Sequence, residues 1–340
     1  MNLTKKTAVV LINLGTPDSP QTGDVRKYLS EFLNDPRVID IPWLARKLLV
    51  NAIIVPFRAP KSAKVYKELW DDRGSPLLYH TQDLAIKLQN KFKDSATVFY
   101  AMRYGNPSMD FVLGKIKLQN FDKIIIVPLY PQYASSTSGS IVEKAMKIIQ
   151  KWWVIPELTF TGQFYNNAWF IDAFAKNAEN FDLNQYDHIV FSYHGLPNRQ
   201  VDKVYTDNSL CEDNACETEI THNNKFCYKA ACYETTRLLA KKLNIPEEKY
   251  TVAFQSRLDK DWLEPFADKV VIERAQKGDK KLLFFSPAFV ADCLETTIEI
   301  GDEYKELFIE NGGEQLDLVP SLNSNDLWVE FLHQFISEKI

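Results

Sequence analysis

The chain has 340 residues, 45% of them hydrophobic and 25% charged, with a net charge of −5. These are the values of an ordinary soluble globular protein, and at roughly 100–200 residues per domain the length predicts two domains. They exclude a disordered tail, a fibre and a basic domain built to coat nucleic acid, and no apolar run reaches the roughly 18 residues that span a bilayer.

Lys5 and Lys6 followed by AVVLINL resemble a short signal peptide, but Asn13 breaks the apolar run and no small-residue cleavage site follows. A buried first strand (8–15) is the expectation, and with it a cytoplasmic compartment where thiols stay reduced. The turn after it, INLGTPDSP (12–20), lacks G-x-G-x-x-G, so a dinucleotide site is not supported. IPWLARKLLVNAIIVPF (41–57) is apolar around Arg46 and Lys47, which suits a core helix or a lip on an apolar ligand or membrane surface. QDLAIKLQNKF (82–92) has helical spacing and leads to a strand at 96–104, whose end, AMRYGNP, carries Arg103 and Tyr104.

A strand at 123–130 runs into YPQYASSTSGS (130–140), where Tyr133 and several hydroxyls precede a helix; such a loop binds an anion or simply caps the helix. A strand at 157–162 follows, then a polar, Asn-containing stretch (165–186) suited to a domain boundary. Further strands are expected at 188–195, 250–256 and 281–287, with helical spacing from 207 through RLLAKKL (237–243). The strand runs are rich in Val, Ile and Phe and do not alternate with polar residues, as in a parallel sheet covered on both faces. Strand–helix alternation over the whole length predicts an α/β doubly wound fold, with ligands at the carboxyl ends of the strands.

Three groups of residues carry chemistry. His194, one of five histidines, ends the strand in FSYHGLP; it is a proton acceptor or metal ligand, or else a turn cap. In SPAFVADCLETTIEIGDEY (286–304), Asp292, Glu295, Glu299, Asp302 and Glu303 form an acidic series. Glu295, Glu299 and Glu303 are four apart, on one face of an α-helix, as a solvated face or the border of a cleft suited to a hard cation or to protons. Cys293 beside them reads as a small core residue or as part of the same cleft. Cys211, Cys216, Cys227 and Cys232 lie within 22 residues at spacing Cys-x4-Cys-x10-Cys-x4-Cys. They suit an iron–sulfur cluster, a structural zinc or free thiols, and His222 within the window can replace one cysteine.

Taken together and in order, LINLGTPDSP, GSPLLYHTQ (74–82), AMRYGNP, PLYPQYASSTSGS, FSYHGLP, FQSRLDKDWLEP (254–265) and SPAFVADCLETTIEI closely resemble the ferrochelatase family along almost the whole chain. The resemblance implies two Rossmann-like, chelatase-type domains, each a parallel sheet flanked by helices, with a porphyrin cleft between them. They would be 1–175, with a C-terminal helix (325–340) packing back on it, and 176–324 with a cysteine-rich insertion at 207–232. It implies insertion of Fe2+ into protoporphyrin IX with release of two protons, the last step of haem biosynthesis. Coproporphyrin or another tetrapyrrole as substrate, and a haem or iron carrier without turnover, are the alternatives. It further implies His194 and Glu295 as catalytic, iron-handling residues, Asp292, Glu299 and Glu303 as an acidic relay, and Leu14, Arg103, Tyr104 and Tyr133 as porphyrin-binding residues. Residue 135 is serine and 305–340 hold no cysteine, so a cluster tied to the C-terminus is excluded. The expectation is a structural 2Fe–2S cluster on Cys211, Cys216, Cys227 and Cys232, with structural Zn as the alternative. Partners are then a porphyrin and ferrous iron, with no nucleic acid, and peripheral membrane docking through 41–57; the sequence does not define the oligomeric state.

Overall fold

The computed structural model describes residues 5–340 and divides into two units. One runs to Tyr130 and adds Ser135–Gly162 and Ser324–Ile340; the other holds Pro131–Ala134 and Gln163–Asn323.

In the first unit β1 (Thr7–Thr16) is central, and every residue in it except Leu14 is buried. A strand covered on both faces has no polar side to alternate, which is why it reads TAVVLINLGT. Strands β2 (Thr97–Gly105) and β3 (Lys123–Pro128) flank it in parallel, and β4 (Glu157–Phe160) pairs with β3. The order is β2-β1-β3-β4. The helices Met109–Lys117 and Ser140–Ile149 place Val112, Leu113, Ile116, Ile141 and Ala145 in one cluster with Val10, Ile12, Ile124 and Ile126 of the strands. A second cluster joins Val25, Tyr28 and Leu29 of the helix Thr22–Leu33 to Val55, Ala59, Ala63 and Tyr104. The C-terminal helix, Asp326–Ser337, is joined to the helix Pro76–Phe92 by the ion pairs Lys87–Asp326 and Lys91–Glu330.

The second unit repeats the plan. Strands β5 (His188–His194), β6 (Tyr250–Gln255), β7 (Lys281–Phe285) and β8 (Gln315–Leu318) form an all-parallel sheet in the order β6-β5-β7-β8. Val190, Ala253, Leu282 and Phe284 cluster with Val270 and Val271 of the helix Ala267–Gln276 and with Ile300, Tyr304 and Phe308. Each unit also has a π-helical stretch in the crossover after its third strand: Ser135–Gly139 in one, Glu295–Tyr304 in the other.

Two elements differ from expectation. Strand β8 was not anticipated, because four residues, QLDL, with a charge among them carry little period-two signal. The helix expected from 207 begins only at Tyr228 and runs to Leu243. Turn chemistry prevails before it: Asn208 has φ +63° and Asp207 accepts from the Ser209 N–H. No described helix is long and apolar enough to cross a membrane.

Candidate active site

His194 is the last residue of β5, at the carboxyl edge of its sheet, where open α/β sheets bind ligands. Its Nδ1 lies 2.7 Å from the Gly195 carbonyl oxygen. A carbonyl only accepts, so Nδ1 carries the hydrogen and Nε2 keeps its lone pair, free for a proton or a metal. The half-buried imidazole stands between the Trp262 and Phe289 rings, each 6.5 Å away between centroids. Trp262 is held there because residues 196–198 pair with its loop: Leu263 N–H donates to Leu196 O, and Asn198 N–H to Asp261 O.

The acidic series departs from the expected arrangement. Glu295 begins a π-helix, not an α-helix, and in a π-helix hydrogen bonds join residues five apart. The end of β6 supplies the physical reason. Gln255 Nε2 donates to the Glu295 carbonyl at 2.9 Å and to the Glu299 carboxylate at 3.0 Å. Glu299 also accepts from the Ser256 N–H at 2.8 Å, from the Ser256 hydroxyl and from the Tyr304 hydroxyl at 2.9 Å. Four donors fix that carboxylate. Burial, and then Glu299, push the Tyr304 phenol far above its ordinary range.

Asp292 lies before the helix, not on it, and is committed to the chain beside it: its carboxylate accepts from Ser321 N–H at 3.1 Å and Asn323 Nδ2 at 2.7 Å. Glu303 is exposed. Cys293 is buried, which raises its thiol well above the ordinary range; of its two readings, the small core residue is the one this position suits.

In the first unit, Leu14 is the half-buried residue near the end of β1. Arg103 is paired with the buried Asp35, donates through Nε to Ser140 Oγ at 2.6 Å and lies over the Tyr104 ring. Tyr104 is fully buried, and its hydroxyl donates to Asp35 at 2.8 Å. Burial on its own would raise the Asp35 carboxyl. Hydrogen bonds from Ser140 and the Arg37 N–H, with the charge of Arg103, hold it below its usual range. Gly15 makes this packing possible: it has φ +113°, and a Cβ there would lie 1.7 Å from the Tyr104 carbonyl oxygen.

Of the four clustered cysteines, three are brought together. The Sγ atoms of Cys211, Cys216 and Cys227 lie within 4.8 Å of one another, all buried. Cys232 is buried but outside that group, and His222 is exposed. Tyr205 OH lies 3.0 Å from Cys216 Sγ, and Asn224 Nδ2 points at the same sulfur from 3.8 Å. Hydrogen bonding from Cys211, then Cys227, with Tyr205 and Asn224 adding to it, pulls the Cys216 thiol well below its ordinary range. Three buried soft donors with one thiolate favoured fit zinc or an iron–sulfur cluster. Tyr133 sits beside this segment: its N–H donates to Gln163, whose amide donates to Lys225 O, and its ring meets Phe226 edge-on at 6.2 Å.

Sequence reading missed Asp35, Ser140, Gln255 and Ser256. Ser140, Gln255 and Ser256 lie in singled-out segments and Asp35 lies outside them all, and a single polar residue carries no spacing signal.

Two units, each a four-stranded parallel sheet flanked by helices, define a chelatase-type fold. SirB from Bacillus subtilis with Fe3+ aligns over 98% of this chain and 95% of its own, with TM-score 0.56 and 10% identity. The cobalt complex of the sirohydrochlorin chelatase SirB from Bacillus subtilis subspecies spizizenii aligns over 98% and 94%, with TM-score 0.53 and 9% identity. Sequence narrows the class: the ferrochelatase family model matches residues 6–340, and the chain belongs to that family. It is 42% identical over 333 residues to the ferrochelatase of Legionella pneumophila strain Paris, covering 98% of this chain and 99% of that one. It is 40% identical over 337 residues to the ferrochelatase of Coxiella burnetii strain CbuK_Q154, covering 98% and 94%. The protein is thus an enzyme that inserts a metal into a porphyrin, formally a lyase.

Proposed function

We propose that the enzyme inserts Fe2+ into protoporphyrin IX, releasing two protons and forming protohaem, and that His194 and Glu295 carry the chemistry. The observation that carries this reading is the imidazole at the end of β5, with Nδ1 committed to a carbonyl and the Nε2 lone pair left uncommitted. A free-base porphyrin holds two pyrrole protons where the metal must go, and its nitrogen lone pairs lie in the ring plane. A site shaped for the bent ring exposes those lone pairs and lowers the barrier. Nε2 of His194 takes a pyrrole proton. Glu295 and Glu303 pass protons or iron, imidazole and carboxylate both suiting Fe2+, while Glu299, with four donors upon it, anchors the helix that carries them. Leu14, Arg103 and Tyr133 contact the porphyrin, and Tyr104 acts through Asp35 and Arg103 because it is buried.

Cys211, Cys216 and Cys227 are ligands of a resident metal centre, a 2Fe–2S cluster or a zinc. Cys232, five residues beyond Cys227 in the helix that Cys227 caps, is the proposed fourth. Its role is structural. We assign the protein to the cytoplasm, a compartment in which the thiols of that centre stay reduced. Peripheral membrane contact is assigned to the exposed apolar face of 41–57, where Trp43 is 64% and Phe57 73% exposed.

The test is an anaerobic insertion assay with Fe2+ or Zn2+ and either protoporphyrin or coproporphyrin. Wild type turns over protoporphyrin in preference. His194→Ala loses about 100-fold or more in kcat while still binding porphyrin. Full activity in that variant removes His194 from the chemistry, and preference for coproporphyrin replaces the substrate.

A further inference from the structure

Both proposed reactive residues are attached to a residue so far described only as a donor. Gln255 ends β6, is fully buried, and sits opposite His194 in the parallel register. Its backbone carbonyl accepts from the Gly195 N–H at 2.8 Å. Its side-chain oxygen accepts from Ser192 Oγ, in β5, at 2.7 Å. Its side-chain nitrogen makes the two donations to Glu295 O and Glu299 already described. One amide therefore spans three elements: the strand ending in the imidazole, its own strand, and the first turn of the acidic helix. Both N–H groups are used, and the oxygen has a partner, so the amide has one satisfied orientation. The approach is tight. A Cβ at Gly195 would stand 3.0 Å from Gln255 O and 3.2 Å from the Trp262 ring.

We infer that Gln255 is a positioning residue that sets the place of Glu295 relative to His194. The inference rests on the proposed roles of those two residues. Moving a pyrrole proton to one group while a metal meets another needs both held in one geometry, and small displacements of such groups cost rate more than binding. A side chain that only filled space at this point would be replaceable by an apolar one of similar size.

The experiment uses the full-length enzyme as wild type, Gln255→Leu and Gln255→Glu, each checked for folding by circular dichroism and thermal unfolding. Zn2+ insertion into protoporphyrin is followed by fluorescence across pH. Gln255→Leu is expected to lose about tenfold or more in kcat with KM for the porphyrin within about threefold. Gln255→Glu faces the Glu299 carboxylate, and two carboxylates in contact raise one pKa. Protonated, the new side chain restores one donation, so its activity rises as pH falls where wild type shows no such rise. A folded Gln255→Leu enzyme with wild-type kcat and pH profile overturns the inference, as does a loss confined to KM. If Gln255→Leu does not fold, the near-isosteric Gln255→Glu decides, and a wild-type pH profile in it overturns the inference. Failure of the underlying reading is separate: wild type itself then inserts no metal, or His194→Ala and Glu295→Gln retain full activity.

Discussion

At the scale of single residues, the strongest electrostatic commitment in the first unit is Asp35. It takes the Arg103 guanidinium and the hydroxyls of Ser140 and Tyr104, with only 3% of its side chain exposed. Breaking one partner of such a pair strands the other charge, and Asp35→Asn is expected to cost about 2–4 kcal/mol at neutral pH. The sign of the pH dependence follows from a carboxyl held below its unfolded value. The stabilisation is complete above the unfolded pKa of about 4 and is lost as pH falls through the lower folded value. Urea unfolding of wild type and Asp35→Asn at pH 7 and pH 3 checks this: the gap between them narrows in acid. A constant gap removes the linkage.

At the scale of elements, the continuous helical run from Trp43 through the π-helical Leu49–Ile54 to Leu69 buries Val50, Val55, Ala59 and Ala63 but leaves a second set of large apolar side chains outward. Leu48 and Ile53 are 61% and 56% exposed, whereas Arg46, a residue that charge alone would place outside, is buried with its guanidinium on the carbonyls of Ile39 and Ile41. The triple variant Trp43→Ser, Leu48→Ser, Phe57→Ser is expected to bind phosphatidylglycerol-containing vesicles at least about tenfold more weakly, since each large apolar side chain contributes about 1.5–3 kcal/mol when buried. Thermal stability is expected to change little, because these side chains are exposed. Undiminished vesicle binding sinks the membrane assignment. The same run shows what sequence could reveal. Runs rich in Val, Ile and Phe marked seven of the eight strands, most clearly β1, β3, β5 and β7, where burial on both faces leaves a composition signal. The π-helical stretches left none. Nothing in ETTIEIGDEY separates five-residue from four-residue hydrogen bonding; the choice is tied to the donors of Gln255 and Ser256, which lie some 40 positions away in the chain. Likewise the spacing of the cysteines announced a cluster, but which sulfurs meet depends on turns such as those at Asn208 and Asn224.

For the whole molecule, the metal centre proposed at the thiol group would tie stability to metal content. Binding to the folded chain alone stabilises it by mass action, and a structural metal is folding free energy outright. Protein purified anaerobically is expected to carry iron with visible absorption, or one zinc without it. Stripping by chelator, or Cys216→Ser, is expected to lower the melting temperature by several degrees, and metal-free protein melting identically removes the centre. Loss of metal in Cys232→Ser supports Cys232 as the fourth ligand, and full retention dismisses it.

The shared strand order of the two sheets has a consequence for how labour is divided along the chain. In β1 the segment Leu14-Gly15-Thr16-Pro17 stands where β5 and its continuation place His194-Gly195-Leu196-Pro197. Met102 N–H reaches back to Pro107 O just as Phe254 N–H reaches to Pro265 O. Superposed in this way, the counterpart of the imidazole is an aliphatic side chain, and the counterpart of Gln255 is Arg103. One copy of the plan thus retains a titratable terminus, while the other ends in grease and a fixed cation. On the roles proposed for Arg103 and His194, substitutions in the two copies are expected to leave different kinetic signatures: altered affinity from the first, altered turnover from the second.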